Sequence, residues 1–161
     1  MITILGKKSQ LAQCLIQKIK CPIDIISSDE IDLRDYNNIE LVLRKFSNKI
    51  IINCFAFNDV EEAESNRDAY KINHIGLEKV AKFCSKNNIV LIHISTDFLF
   101  DGKKGFYVES DSTNPINHYG KSKALGELAI QKHCTKYIII RTSWLYSHLE
   151  TKNNFLFKIK T

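Results

Sequence analysis

The run Ile89-Val90-Leu91-Ile92-His93-Ile94, closed by Ser95-Thr96-Asp97, is almost entirely apolar and mostly β-branched. A stretch of that length and composition reads as a strand buried on both faces. Apolar residues recur at helical spacing over residues 68–87 before it and 119–133 after it. The alternation continues outward. Residues 1–5, 23–26, 50–53 and 137–141 read as further strands, with helices over residues 10–20 and 38–46. Apolar strands separated by helices call for a parallel sheet covered on both faces. The expected fold is α/β, a doubly wound, Rossmann-like parallel sheet in one domain. Residues 101–115, with two glycines and many polar side chains, read as a loop.

In open parallel sheets, ligands lie beyond the carboxyl ends of the strands. Thr96 follows the fourth strand and Tyr119 opens the next helix, so both belong to that edge. Tyr119 and Lys123 are four residues apart and share a helix face. A free tyrosine titrates near ~10 and shuttles protons poorly at neutral pH. A neighbouring ammonium favours the phenolate and moves the group toward the working range. Thr96 can hydrogen-bond the same substrate oxygen. Together, Thr96, Tyr119 and Lys123 make a proton-delivery set for reducing a carbonyl. The plainer alternatives are a solvated helix face for Tyr119 and Lys123 and a strand cap for Thr96.

Gly6 ends the first strand and leads into Lys7-Lys8-Ser9-Gln10-Leu11-Ala12. This is the place of a phosphate-binding turn, where free N–H groups at a helix start attract a pyrophosphate. It reads equally as an ordinary strand-to-helix turn. After the second strand, Asp29, Asp32 and Asp35 offer carboxylates to adenosine hydroxyls. Asp32-Leu33 has the better spacing, although Asp32 also suits a helix cap.

Composition narrows the class. The chain has 161 residues, 44% apolar and 25% charged, which suits one soluble globular domain. The net charge of +5 comes from lysines spread along the chain, so no nucleic-acid partner is expected. No apolar run reaches membrane-spanning length and the opening residues make no signal peptide, so no membrane partner is expected either. Five cysteines without a C-x-x-C pair read as reduced thiols of a cytoplasmic protein, and no metal is expected.

Several further segments are specific at their spacing. They are Ile51-Ile52-Asn53-Cys54-Phe55-Ala56, Val60-Glu61-Glu62-Ala63-Glu64, Ile72-Asn73, His93-Ile94-Ser95-Thr96-Asp97-Phe98-Leu99-Phe100-Asp101-Gly102, Tyr119-Gly120-Lys121-Ser122-Lys123 with Gly126-Glu127, and Arg141-Thr142-Ser143-Trp144-Leu145-Tyr146. With the Gly6 turn, they resemble the extended short-chain dehydrogenase/reductase superfamily and, within it, the dTDP-4-dehydrorhamnose reductase family, from the first residue to about Phe155. The resemblance implies NADPH- or NADH-dependent reduction of the C4 keto group of a dTDP-4-dehydro-6-deoxy sugar, a nucleotide-sugar substrate of dTDP-L-rhamnose synthesis. It implies that Gly6, Gln10 and Leu11 line the pyrophosphate, Asp32 and Leu33 the adenosine, and that Ala56 and Phe57 stand beside the cofactor. By the same resemblance, Tyr119 donates the proton, Lys123 holds the nicotinamide ribose and lowers the tyrosine pKa, and Thr96 bonds the reacting oxygen. Asp97 and Trp144 then lie against the sugar. Plainer alternatives are core for Trp144, a turn for Asp97, buried structural roles for Asn73 and His93, and a solvated helix start for Glu61, Glu62 and Glu64.

The departures from the family pattern concern the cofactor wall and the end. Ser9 stands where the family has a second turn glycine, which is expected to crowd the pyrophosphate. Phe55 adds bulk beside the cofactor, and Cys14 stands where some members carry a glutamate for a magnesium-bridged dimer. Residues 1–161 are expected to form the dinucleotide-binding domain, with 147–161 beginning a truncated carboxyl-terminal region. That predicts an apolar tail at residues 154–157, and either a homodimer or a separate chain completing the substrate site. The competing expectation is a non-catalytic binding or regulatory module of the same family, or an inactive remnant.

Overall fold

A computed structural model of the chain describes residues 1–46 and 49–147. Five strands, β1 (Ile2–Leu5), β2 (Ile23–Ile26), β3 (Ile50–Asn53), β4 (Val90–Thr96) and β5 (Tyr137–Thr142), form one parallel sheet in the order β2-β1-β3-β4-β5. Their β-branched residues favour this pleated, buried setting. The order reverses between β1 and β3, so a crevice opens beyond their carboxyl ends.

Helices α1 (Gln10–Lys18), α2 (Asn38–Leu43), α3 (Asp68–Tyr70), α4 (Leu77–Lys86) and α5 (His118–His133) cover the sheet. Alternation along the strands divides the core between two faces. Leu5, Ile51 and Leu91 pack with Leu77 and Val80 of α4 and Ile130 of α5. Ile4 and Ile52 pack on the opposite side against Ala12 of α1. The doubly wound, Rossmann-like expectation describes this architecture. No helix among the described residues is long and apolar enough to cross a membrane.

Two boundaries differ from the sequence reading in ways that bear on the site. β4 runs on to Thr96 and β5 to Thr142, because these two ends pair with each other. The Thr142 hydroxyl also donates to the Ser95 carbonyl at 3.1 Å. Residues 68–87, expected as one helix, are interrupted by a wide π-type turn at Lys71–Gly76. Tertiary contacts occupy this turn. Asn73 Oδ1 accepts from Phe57 N at 2.8 Å, and Asn73 Nδ2 donates to Phe57 O and to Ser122 Oγ. The Asn73 carbonyl presses so close to α5 that a Cβ on Gly126 would lie 2.1 Å from it. Such turns are set by tertiary contacts over a single turn, and the segments on either side each keep helical spacing. The expected tail at residues 154–157 lies outside the described residues.

Candidate active site

The amino-terminal end of the site is set by the β1–α1 turn. Gly6 has φ +96°, and a Cβ there would lie 2.9 Å from the Cys54 carbonyl carbon, so only glycine fits. The amides of Gly6 and Lys7 both donate to the Ile26 carbonyl, and Ser9 N donates to Gly6 O. Ser9 caps α1 with an ordinary extended backbone, its Oγ accepting from Ala12 N at 3.1 Å. That leaves the amides of Gln10 and Leu11 as first-turn donors without a helical acceptor, and both residues line a cleft. The serine thus needs no left-handed backbone, and its hydroxyl is committed to the cap. Ser9→Ala is expected to cost about 1 kcal/mol and Ser9→Gly only a few tenths, measured by urea unfolding.

The cleft has a volume of about 720 Å³ and runs from this turn to Thr96, Asp97, Tyr119 and Lys123. Asn117 starts α5 by accepting from Gly120 N at 2.7 Å, and Glu64 accepts from His118 N at 2.8 Å. Glu64 thereby secures the start of the helix that carries Tyr119, and Glu62–Glu64 form a short 3₁₀ turn. Tyr119 is 8% exposed, with its ring edge-on to Phe98 at 5.6 Å. Burial pushes its phenol up, a hydrogen bond with Thr96 pulls it down, and the Asp97 charge raises it further. Thr96 also caps the turn after β4, accepting from Phe98 N at 3.2 Å, and its hydroxyl lies 3.3 Å from Asp97 Oδ1. Cap and site are therefore one residue.

Lys123 departs from the expectation. Its Nζ donates to the Ile94 carbonyl at 2.8 Å and lies 3.3 Å from His93 Nε2. Burial pushes its pKa down to about 8, against the pull of Glu127 and Cys54. The amino group is turned onto the sheet, and the net shift of Tyr119 is upward, not downward. Sharing a helix face brought the pair together but did not direct the ammonium at the phenol.

Other expected residues divide in two. Gln10, Leu11, Ala56 and Trp144 line the cleft with Thr96, Asp97, Tyr119 and Lys123, and Gly6 lies beneath the turn. Trp144 is 67% exposed, with φ +45°, and is not core. By contrast, Asp32 is held by Arg34 at 2.7 Å, and Arg34 also bridges to Asp68 at 2.8 Å. Leu33 is 4% exposed within the core. The backbone of Phe57 is bonded to Asn73, and its side chain packs on Ala63, Ala69 and Tyr119. Asp32, Leu33 and Phe57 are not among the residues lining the cleft. Sequence reading missed Cys54 at the cleft wall and His93 as the neighbour of Lys123. The alternation of His93 with Ile92 and Ile94 was the available signal for the latter.

Fold and site together define a Rossmann-like α/β domain with a buried tyrosine, threonine and lysine at the carboxyl edge of its sheet. The family model described as the RmlD substrate binding domain matches residues 1–161. The dTDP-4-dehydrorhamnose reductase of Aggregatibacter actinomycetemcomitans is 34% identical over 148 residues, covering 91% of this chain and 50% of that protein. The Escherichia coli K12 enzyme of the same name is 33% identical over 155 residues, covering 91% and 52%. A Bacillus anthracis dTDP-4-dehydrorhamnose reductase, solved in complex with NADP, superposes with a TM-score of 0.92 at 34% identity, over 99% of this chain and 58% of that one. The chain belongs to the dTDP-4-dehydrorhamnose reductase family, and it spans about half the length of the relatives it matches.

Proposed function

We propose that the chain is the dinucleotide-binding, proton-transferring part of an NADPH- or NADH-dependent reductase that acts on the C4 keto group of a dTDP-4-dehydro-6-deoxy sugar. The observation that carries this reading is that the buried Tyr119 and Thr96 line one cleft whose other end is the open helix start at Gln10 and Leu11. The Gly6 turn fits a dinucleotide, since it leaves no room for a Cβ and offers two amides to a pyrophosphate. When bound, the nicotinamide supplies the hydride. Tyr119 holds a proton on its phenolic oxygen and releases it to the carbonyl oxygen, while the Thr96 hydroxyl orients that oxygen. Lys123, once directed into the cleft as an ammonium, holds ribose hydroxyls. Asp97 faces the sugar, and Trp144 offers an aromatic surface to its C–H groups. All five cysteines are free, and we infer a reducing, cytoplasmic setting.

The test uses Trp144, the sole tryptophan, which sits on the cleft lining. Titration of the protein with NADPH and with NADH is expected to give saturable quenching with energy transfer to the nicotinamide. No binding at millimolar cofactor by a folded protein would overturn the reading. Binding without turnover of the 4-keto sugar nucleotide would instead identify a non-catalytic binding module.

A further inference from the structure

Asn53 at the end of β3 lies opposite His93 of β4, and Lys123 of α5 reaches His93 from the helix layer. All three side chains are buried. Asn53 Oδ1 accepts the backbone N–H of Phe55 at 3.1 Å. A backbone amide only donates, which fixes the side-chain amide in this orientation. Asn53 Nδ2 therefore faces His93 Nδ1, at 3.0 Å. That nitrogen also only donates, so Nδ1 is the bare, accepting nitrogen of the ring. Full burial holds the imidazole well below its usual pKa, so the ring is neutral and its one proton sits on Nε2.

The atom 3.3 Å from Nε2 is the Lys123 nitrogen. An ammonium has three donors and no acceptor, so N–H would meet N–H. A neutral amine resolves the conflict. Its lone pair accepts from Nε2 while one of its hydrogens still donates to the Ile94 carbonyl at 2.8 Å.

We propose that Asn53, acting through His93, stores Lys123 as a neutral amine docked on the sheet, and that protonation releases it from His93 into the cleft. This builds on the reading of Lys123 as the cation of the site. Asn53 and His93 are positioning residues. The proton comes from water, and His93 keeps its Nε2 hydrogen throughout. The titratable groups around Lys123 are Cys54 after β3, His93 on β4, and Tyr119 and Glu127 one turn either side on α5. Glu127 is itself paired with Arg141 of β5 at 2.8 Å. Glu127 and Cys54 favour the ammonium, while burial opposes it and dominates. Stored and projecting forms then exchange across the mildly alkaline range. A bound ligand that hydrogen-bonds the ammonium draws the lysine out.

The test is a nuclear magnetic resonance titration of isotope-labelled protein from about pH 6 to 10, following the ring nitrogens of His93 and Cε of Lys123. His93 is expected to remain the Nε2–H tautomer, with its Nε2 resonance moving at the same midpoint as Lys123. In Asn53→Asp, the new carboxylate accepts from both Phe55 N and the ring. The ring should switch to Nδ1–H, Nε2 should accept from the ammonium, and the Lys123 midpoint should rise by about one unit, roughly tenfold in proton affinity. An Nδ1–H ring in the unsubstituted protein overturns the proposal, whether or not the variant folds. So does a variant whose ring switches while Lys123 titrates unchanged. No cofactor is involved, so this result and that of the cofactor titration fail independently.

Discussion

Gly126→Ala is expected to lower the free energy of unfolding by about 3 kcal/mol, seen as a fall in melting temperature of roughly 10 °C. The added methyl would lie 2.1 Å from the Asn73 carbonyl oxygen and 3.0 Å from Leu77 Cδ2. The first of these neighbours is backbone, so no rotamer change can make room for it. Relief requires α5 to move off the wide turn by about 1.5 Å, the difference between this approach and an ordinary van der Waals contact. That movement strains the Asn73–Ser122 bond and with it the clamp on Phe57. Overpacking alone accounts for the upper part of the usual range, and lost hydrogen bonds add to it. A loss below about 0.5 kcal/mol would show that α5 does not sit on this turn as described.

Lys123 produces the second large effect, and its sign is set by proton linkage. In the unfolded chain the lysine titrates at its usual 10.5, and in the fold at about 8. Between these values the unfolded state binds more protons, so stability rises with pH. The penalty for burying the ammonium is fully present below about pH 8 and is gone above about 10.5. At ~1.4 kcal/mol per unit, the protein should gain up to about 3 kcal/mol over that window relative to Lys123→Met. Cys54, pushed up to about 11 by burial, and Tyr119, also raised, oppose the trend by destabilising the fold as pH rises past their unfolded values. Both groups are present in both proteins, so their contributions cancel in the difference apart from the coupling between Cys54 and Lys123. Urea unfolding of the pair at several pH values measures it. A difference that stays flat across the window would mean that Lys123 is solvated rather than buried.

The fold was legible because its signal is periodic. Isoleucine-rich runs of strand length separated by helical spacing call for a parallel sheet, and the five runs fall on the five strands. Thr96 and Tyr119 were legible as neighbours because both end up at the carboxyl edge of that sheet. What the sequence did not reveal depends on which partner a side chain chooses. The spacing of Tyr119 and Lys123 places them on one face, but only the neighbouring Ile94 carbonyl and His93 ring decide where the ammonium points. Asp32 had the spacing of an adenosine ligand, yet Arg34, two residues on, takes its carboxylate. Leu33 and Phe57 were drawn into packing that no local pattern encodes. Trp144, placed against the sugar by the resemblance with core as the plainer alternative, stands exposed on the cleft lining past the end of β5.

The walls of the cleft come from opposite ends of the described chain. Gln10 Nε2 donates to Ser147 Oγ at 2.8 Å across 137 residues, and the Thr142 hydroxyl closes onto Ser95. Contacts of such high sequence separation form late, because the entropy of closing the intervening chain is lost before they return any stabilisation. On a ribosome, β1 and α1 can meet β2 and β3 well before β5 has emerged. The β1–α1 turn is then laid down early, while the cleft waits for β5. Any contact that needs both walls therefore requires β5, and a chain stalled before Tyr137 would have the turn without the cleft.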